Sequence, residues 1–207
     1  MNNPEDIKVI LFDLGGVLID FVGLREVKQF MSGDPSPLEV RSKWVNSKAL
    51  SGFEAGKLNK HEFIDLFREE WEISMSAEDF EALFVSWLNG PFPGMKELLL
   101  DLRRDYQLAC LSNTNQLHWD HLMEVAGLNR LLDNHYASHE IGMIKPDRRI
   151  YEFVSKDLRV DPAQILFFDD GKENVEGAIN AGMKAFQVDG PATIREKLRI
   201  ASLFPKS

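Results

Sequence analysis

Apolar residues follow two different patterns along this chain, and the change between them divides it. Val9, Ile10, Leu11 and Phe12 form a short unbroken run that stops at Asp13, with Gly15 and Gly16 just beyond. An apolar run of that length, rich in β-branched residues, reads as a strand buried on both faces of a parallel sheet. Leu108–Leu111 and Ile165–Phe168 are similar runs, and they stop at Ser112-Asn113-Thr114 and Asp169-Asp170-Gly171. From about 21 to 88 helical spacing takes over. Val27, Phe30 and Met31 begin it, Leu38, Val40, Trp44 and Val45 follow, then Phe63, Leu66, Phe67 and Trp71, then Phe80, Leu83, Phe84 and Trp87. That stretch predicts four or five helices and no strand.

Helix starts are expected near Pro35, Ser51, Asn59 and Ser76, where Ser, Asn or Asp can cap. Glu62 and Asp79 stand three residues after Asn59 and Ser76, the capping-box spacing. Asn89-Gly90-Pro91-Phe92-Pro93-Gly94 is a cluster of breakers and reads as the hinge out of the helical unit. Beyond it the spacing predicts strands at 107–111, 135–138, 165–168 and 185–188. Helices are expected over 95–104, 116–125, from Asp147 to about 156, 173–181 and 192–201. Strands alternating with helices indicate a parallel sheet with crossover helices. The fold class is therefore α/β, with residues 1–19 and 92–207 as the core and 20–91 as an inserted all-helical unit.

Charge and composition narrow the partners. The net charge of −9 and pI near 5.1 argue against a nucleic-acid surface and against an anionic membrane. They leave room for an anionic substrate, because a metal ion can reverse the field within one cleft. No run reaches the ~20 apolar residues of a membrane span. The opening residues show neither the basic nor the apolar part of a secretion signal, so a cytoplasmic location is expected. Cys110 is the one cysteine; within Leu108-Ala109-Cys110-Leu111 it reads as a small buried hydrophobe.

Four polar signals stand where ligand chemistry wants them. Asp13, Ser112-Asn113 and Asp169-Asp170 each follow a strand, and Lys145 sits in a loop bounded by Gly142 and Pro146. In a parallel sheet all strand ends of one polarity lie on one edge, where open α/β sheets bind ligands. Each signal also has a plainer reading: Asp13 and Asp169-Asp170 as turn residues, Ser112 as a helix cap, Lys145 as a solvated loop lysine. The ordered set Phe-Asp-Leu-Gly-Gly-Val-Leu, Leu-Ser-Asn-Thr-Asn, Gly-Met-Ile-Lys-Pro-Asp and Phe-Phe-Asp-Asp-Gly-Lys-Glu-Asn resembles the four motifs of the haloacid dehalogenase-like superfamily. The resemblance spans nearly the whole chain. Within the superfamily the chain is most similar to sugar phosphatases of the bacterial glucose-1-phosphatase type.

That resemblance implies a Rossmann-like parallel-sheet core, helices on both faces and an inserted helical cap. It implies a Mg²⁺-dependent phosphatase acting on a small phosphorylated metabolite, for which a monomer suffices and which needs no nucleic acid or membrane. Asp13 becomes the nucleophile, forming an aspartyl-phosphate. Asp13 and Asp170 become side-chain metal ligands, the Gly15 carbonyl joins them, and Asp169 and Asn174 act close by or through water. Lys145 and Ser112, with the Asn113 amide, would bind the phosphoryl oxygens. One departure stands out. Most phosphatases of the superfamily carry a second aspartate two residues after the nucleophile, as the acid–base group; here that position is Gly15. Its absence predicts a preference for good leaving groups such as anomeric sugar phosphates, with Asp20 either a partial substitute or a hinge residue. It also keeps open a non-catalytic binding protein; a metal-free dehalogenase is opposed by the acid pair at 169–170. His118 and His121 lie one helical turn apart without a third ligand nearby, and are expected to face solvent or the cap. Arg25, Lys43, Trp44 and Lys48 are available to line a pocket.

Overall fold

A computed structural model gives the fold of residues 7–203; of Val125 only the main chain is described. The opening segment 1–6, read above for a leader, lies outside this range, as do 204–207. Strand β1 (Val9–Phe12) leads through a turn to β2 (Ile19–Phe21). The insertion follows as α1 (Gly23–Glu26), α2 (Pro37–Val45), α3 (Lys48–Glu54), α4 (Lys60–Glu70) and α5 (Ala77–Ser86), and β3 (Leu88–Pro91) leaves it. The chain continues through α6 (Met95–Leu102), β4 (Gln107–Ser112), α7 (Gln116–Asp120) with a π-helical turn to Val125, α8 (Leu128–Leu131) and β5 (Asn134–Ala137). It ends with α9 (Ser138–Ile141), α10 (Arg148–Leu158), β6 (Ile165–Asp169), α11 (Lys172–Asn180), β7 (Lys184–Gln187) and α12 (Pro191–Ile200).

Five strands form one parallel sheet in the order β5-β4-β1-β6-β7. Alternate side chains of the three central strands enter two separate cores. Ile10, Phe12, Leu108, Cys110, Leu166 and Phe168 pack with residues of α6 and α12. Val9, Leu11, Ala109, Leu111, Ile165 and Phe167 pack with residues of α10 and α11. Covering both faces explains why these strands are continuous apolar runs and not alternating ones. Burial also pushes the Cys110 thiol up to about 12, so it stays a neutral core group.

Register sets the chemistry. Phe12 lies opposite Cys110 of β4 and Phe168 of β6, and the Asp13 N–H donates to the Phe168 carbonyl at 2.8 Å. Asp13 therefore leaves the sheet level with Asp169 and one step short of Ser112.

The insertion has its own aromatic core, including the stacked pairs Phe53–Phe63 at 4.3 Å and Phe67–Trp71 at 5.3 Å. Ser36 and Asn59 close capping boxes with Glu39 and Glu62, and Ser76 caps α5. Ser51 does not start a helix. The start is Ser47, because Glu70 of α4 accepts the Lys48 and Ala49 N–H groups at 2.9 and 3.0 Å and the Ser47 hydroxyl at 2.5 Å. The breaker cluster also behaves differently from its composition. Leu88–Pro91 pairs antiparallel with Ile19–Phe21, opposing Asp20 to Gly90. The ribbon has no hydrophobic alternation; it forms because the chain enters and leaves the insertion at one place.

Candidate active site

Lys145 is the centre of the sheet's carboxyl edge. Its ammonium is buried, 2.9 Å from Asp13 Oδ1 and 2.6 Å from Asp169 Oδ2, and donates to the Leu111 carbonyl at 3.0 Å. The loop carrying it is held by Asn113, whose side chain accepts the Lys145 N–H at 2.8 Å and donates to its carbonyl at 3.0 Å. Asp169 is fully buried, and its second oxygen accepts from the Gly171 N–H at 2.8 Å and Asn174 Nδ2 at 2.9 Å. Carboxylate oxygens of Asp13, Asp169 and Asp170 lie within 4.8 Å of one another. Gly16 makes that approach feasible: at φ +73°, a Cβ there would stand 2.9 Å from Asp170 Oδ2.

The electrostatics show a site short of positive charge. Burial pushes the Asp13 carboxyl up to about 7; Lys145 opposes the rise and Asp169 and Asp170 add to it. Asp170 is raised as well, by burial first and then by Asp169. Burial pulls Lys145 down, but Asp13 and Asp169 together hold its pKa above the ordinary lysine value. Three close carboxylates around one ammonium suit a hard divalent cation with oxygen ligands. Asp13, Gly15 and Asp170 all line the cavity that opens beside this cluster.

Above this floor lies a cavity of about 440 Å³. Asp13, Gly15, Ser112, Asn113, Lys145, Asp170 and Asn174 line it from the core. Phe21, Arg41, Trp44, Leu50, Glu54 and Phe84 line it from the insertion. Of the four pocket residues considered from sequence, only Trp44 reaches it; Lys43 lies over the Trp71 ring at 4.5 Å, and Arg25 pairs with Glu26. Asp20 accepts from Asn89 Nδ2 at 2.9 Å across the β2–β3 ribbon and does not line the cavity. His118 faces the insertion. Its Nε2 donates to the Phe84 carbonyl at 2.9 Å, its ring stacks on Phe84 at 4.4 Å, and burial pushes its pKa down to about 4.

Residues 7–182 match the family model described as haloacid dehalogenase-like hydrolase. The chain belongs to that family. Among proteins similar to this family member, the D-ribitol-5-phosphate phosphatase of Bacteroides thetaiotaomicron is 29% identical over 94% of this chain and 98% of that protein. A phosphatase of Mycobacterium tuberculosis is also 29% identical, over 92% of this chain and 91% of its own. A crystal structure of a haloacid dehalogenase family enzyme from Bacteroides thetaiotaomicron, in complex with magnesium and inorganic phosphate, superposes with a TM-score of 0.72 at 28% identity. It covers 87% of this chain and 93% of that one.

In this haloacid dehalogenase-like hydrolase Glu54 also lines the cavity, a carboxylate not among the residues singled out above. The signal was present. Leu50 and Glu54 are four apart on α3, so a carboxylate occupies the face that Leu50 buries.

Proposed function

We propose that this chain is a Mg²⁺-dependent phosphatase for small phosphorylated metabolites of the sugar- or polyol-phosphate class, working through an aspartyl-phosphate on Asp13. One observation carries the reading: a buried lysine joins Asp13 to Asp169 at the floor of a cavity, beside a third carboxylate. A phosphate ester resists hydrolysis strongly, so the site must supply a large stabilisation of the transition state. Asp13 Oδ2, the oxygen not bonded to Lys145, attacks phosphorus. Lys145 favours the ionised form of Asp13 and offsets charge on the phosphoryl oxygens. Ser112, buried at the cavity wall, offers its hydroxyl to a phosphoryl oxygen. Asp13, Asp170 and the Gly15 carbonyl would hold Mg²⁺. Both oxygens of Asp169 are already engaged, so it acts by charge and by orienting Lys145. When bound, Mg²⁺ supplies the positive charge that lets a carboxylate approach a phosphate dianion.

The same cavity supports the size class. Its insertion side is largely apolar, with Arg41, Ser51 and Glu54 as polar groups, enough to orient a small polyhydroxylated group. Phosphate release should be measured over sugar, polyol and aryl phosphates, with and without Mg²⁺, for the native chain and Asp13→Asn. Release by the native chain that requires Mg²⁺ and vanishes in Asp13→Asn is expected. No release under any condition would make the chain a binding protein instead.

A further inference from the structure

Gly15 leaves the core without a proton donor for the departing oxygen. We propose that Glu54, brought in by insertion helix α3, is the catalytic acid–base residue of this site. The proposal rests on the phosphatase reading above.

Place argues first. Glu54 shares the cavity with Asp13, Ser112 and Lys145 and lies within electrostatic reach of both Asp13 and Lys145. Its carboxyl group makes no hydrogen bond or ion pair among the described residues, so both oxygens are available. The helix bearing it is anchored at both ends. Glu70 holds the first turn, and at the last the Ser138 hydroxyl donates to the Glu54 carbonyl at 2.6 Å while receiving the Thr114 N–H at 2.9 Å. Two residues on, Gly56 lies so close to the core that a Cβ would meet the His139 carbonyl oxygen at 2.3 Å. Glu54 is thus set by contacts to α9, in the half of the molecule that carries Asp13.

Elimination argues next. His118 is committed to Phe84. Lys145 uses all three of its protons. Arg41 pairs at 3.2 Å with Glu173, the other carboxylate of the cavity wall, whose pKa is lowered first by a bond to its own main chain and further by Arg41. Asp170 belongs to the acidic cluster, and Asp20 is outside the cavity. Burial pushes the Glu54 carboxyl up to about 8, against the pull of Lys145 and with a push from Asp13, so it carries its proton at neutral pH.

The proton balance closes over two steps. Asp13 bonds to phosphorus, the bond from phosphorus to the leaving oxygen breaks, and the Glu54 proton goes to that oxygen. Water then attacks phosphorus and gives a proton to the Glu54 carboxylate; the phosphorus–Asp13 bond breaks, and inorganic phosphate leaves.

Leaving-group dependence tests this. Glycerol phosphate needs a proton on its departing oxygen, and p-nitrophenyl phosphate does not. Glu54→Gln should lower kcat about 100-fold or more on glycerol phosphate and less than about 5-fold on p-nitrophenyl phosphate, within the range of acid–base assistance. Glu54→Asp, which keeps the acid and shortens it, should lose less, again on glycerol phosphate alone, and serves if Glu54→Gln does not fold. Equal losses on both substrates, or none on glycerol phosphate, would overturn the role of Glu54 and leave the phosphatase standing. A native chain that releases phosphate from neither would overturn the phosphatase reading and this role with it.

Discussion

Asn113 grips Lys145 by its main chain. One side-chain amide accepts the Lys145 N–H at 2.8 Å and donates to its carbonyl at 3.0 Å, across 32 residues of sequence. Those two bonds aim the ammonium between Asp13 and Asp169. Asn113→Ala strands a part-buried N–H and carbonyl and should cost about 1–3 kcal/mol in urea unfolding. It should also lower kcat at least tenfold through misplacement of the ammonium. Unchanged kcat would show that the loop holds its shape unaided.

Lys145→Met keeps the unbranched stem, one atom shorter, and removes the charge. Asp13 and Asp169 then face each other buried and unpaired, a change that typically costs about 3–5 kcal/mol. Urea unfolding at neutral pH without divalent cations should show a loss of that order. A loss below about 1 kcal/mol would mean that the carboxyl groups simply take up protons.

His118 makes stability depend on pH. Its folded pKa is about 4, against 6.5 for an unperturbed histidine. Between those values the unfolded chain binds a proton that the folded chain refuses, so stability is full above 6.5 and falls as pH drops toward 4. The loss amounts to about 3 kcal/mol at the lower end. His118→Gln should flatten this part of the profile in urea unfolding; parallel profiles would contradict it.

Gly56→Ala tests the docking of α3. The residue sits at φ +66°, and the added methyl would press on main-chain atoms of His139, which cannot swing aside. A loss of about 2 kcal/mol or more is expected in thermal unfolding, from strain and overpacking together. If Glu54 is placed by this contact, kcat should fall more for glycerol phosphate than for p-nitrophenyl phosphate.

What the sequence discloses follows physical range. Val9–Phe12, Leu108–Leu111 and Ile165–Phe168 are legible as central strands because burial on both faces leaves an unbroken apolar run. The meeting of Asp13 with Asp169 is legible too, since parallel strands end on one edge. The β2–β3 ribbon is not legible: Gly90 and Pro91 carry turn chemistry, and only the return of the chain to its point of departure makes them pair. Ser47 yields to the same logic, because the Glu70 carboxylate that sets the start of α3 lies more than twenty residues away. Glu54 falls between these cases. Its clash with the apolar face of α3 is visible in the sequence, but its neighbours come from parts of the chain that only folding brings near.

The paired strands at the neck of the insertion have a further consequence. Residues 22–87 begin and end side by side, so that segment can gain or lose length without shifting the sheet to which it is attached. Exchanging it at the ribbon would change which molecule is admitted while leaving the acidic edge as it is. In this chain such an exchange would also carry away Glu54, so new selectivity obtained in that way would have to bring its own proton donor.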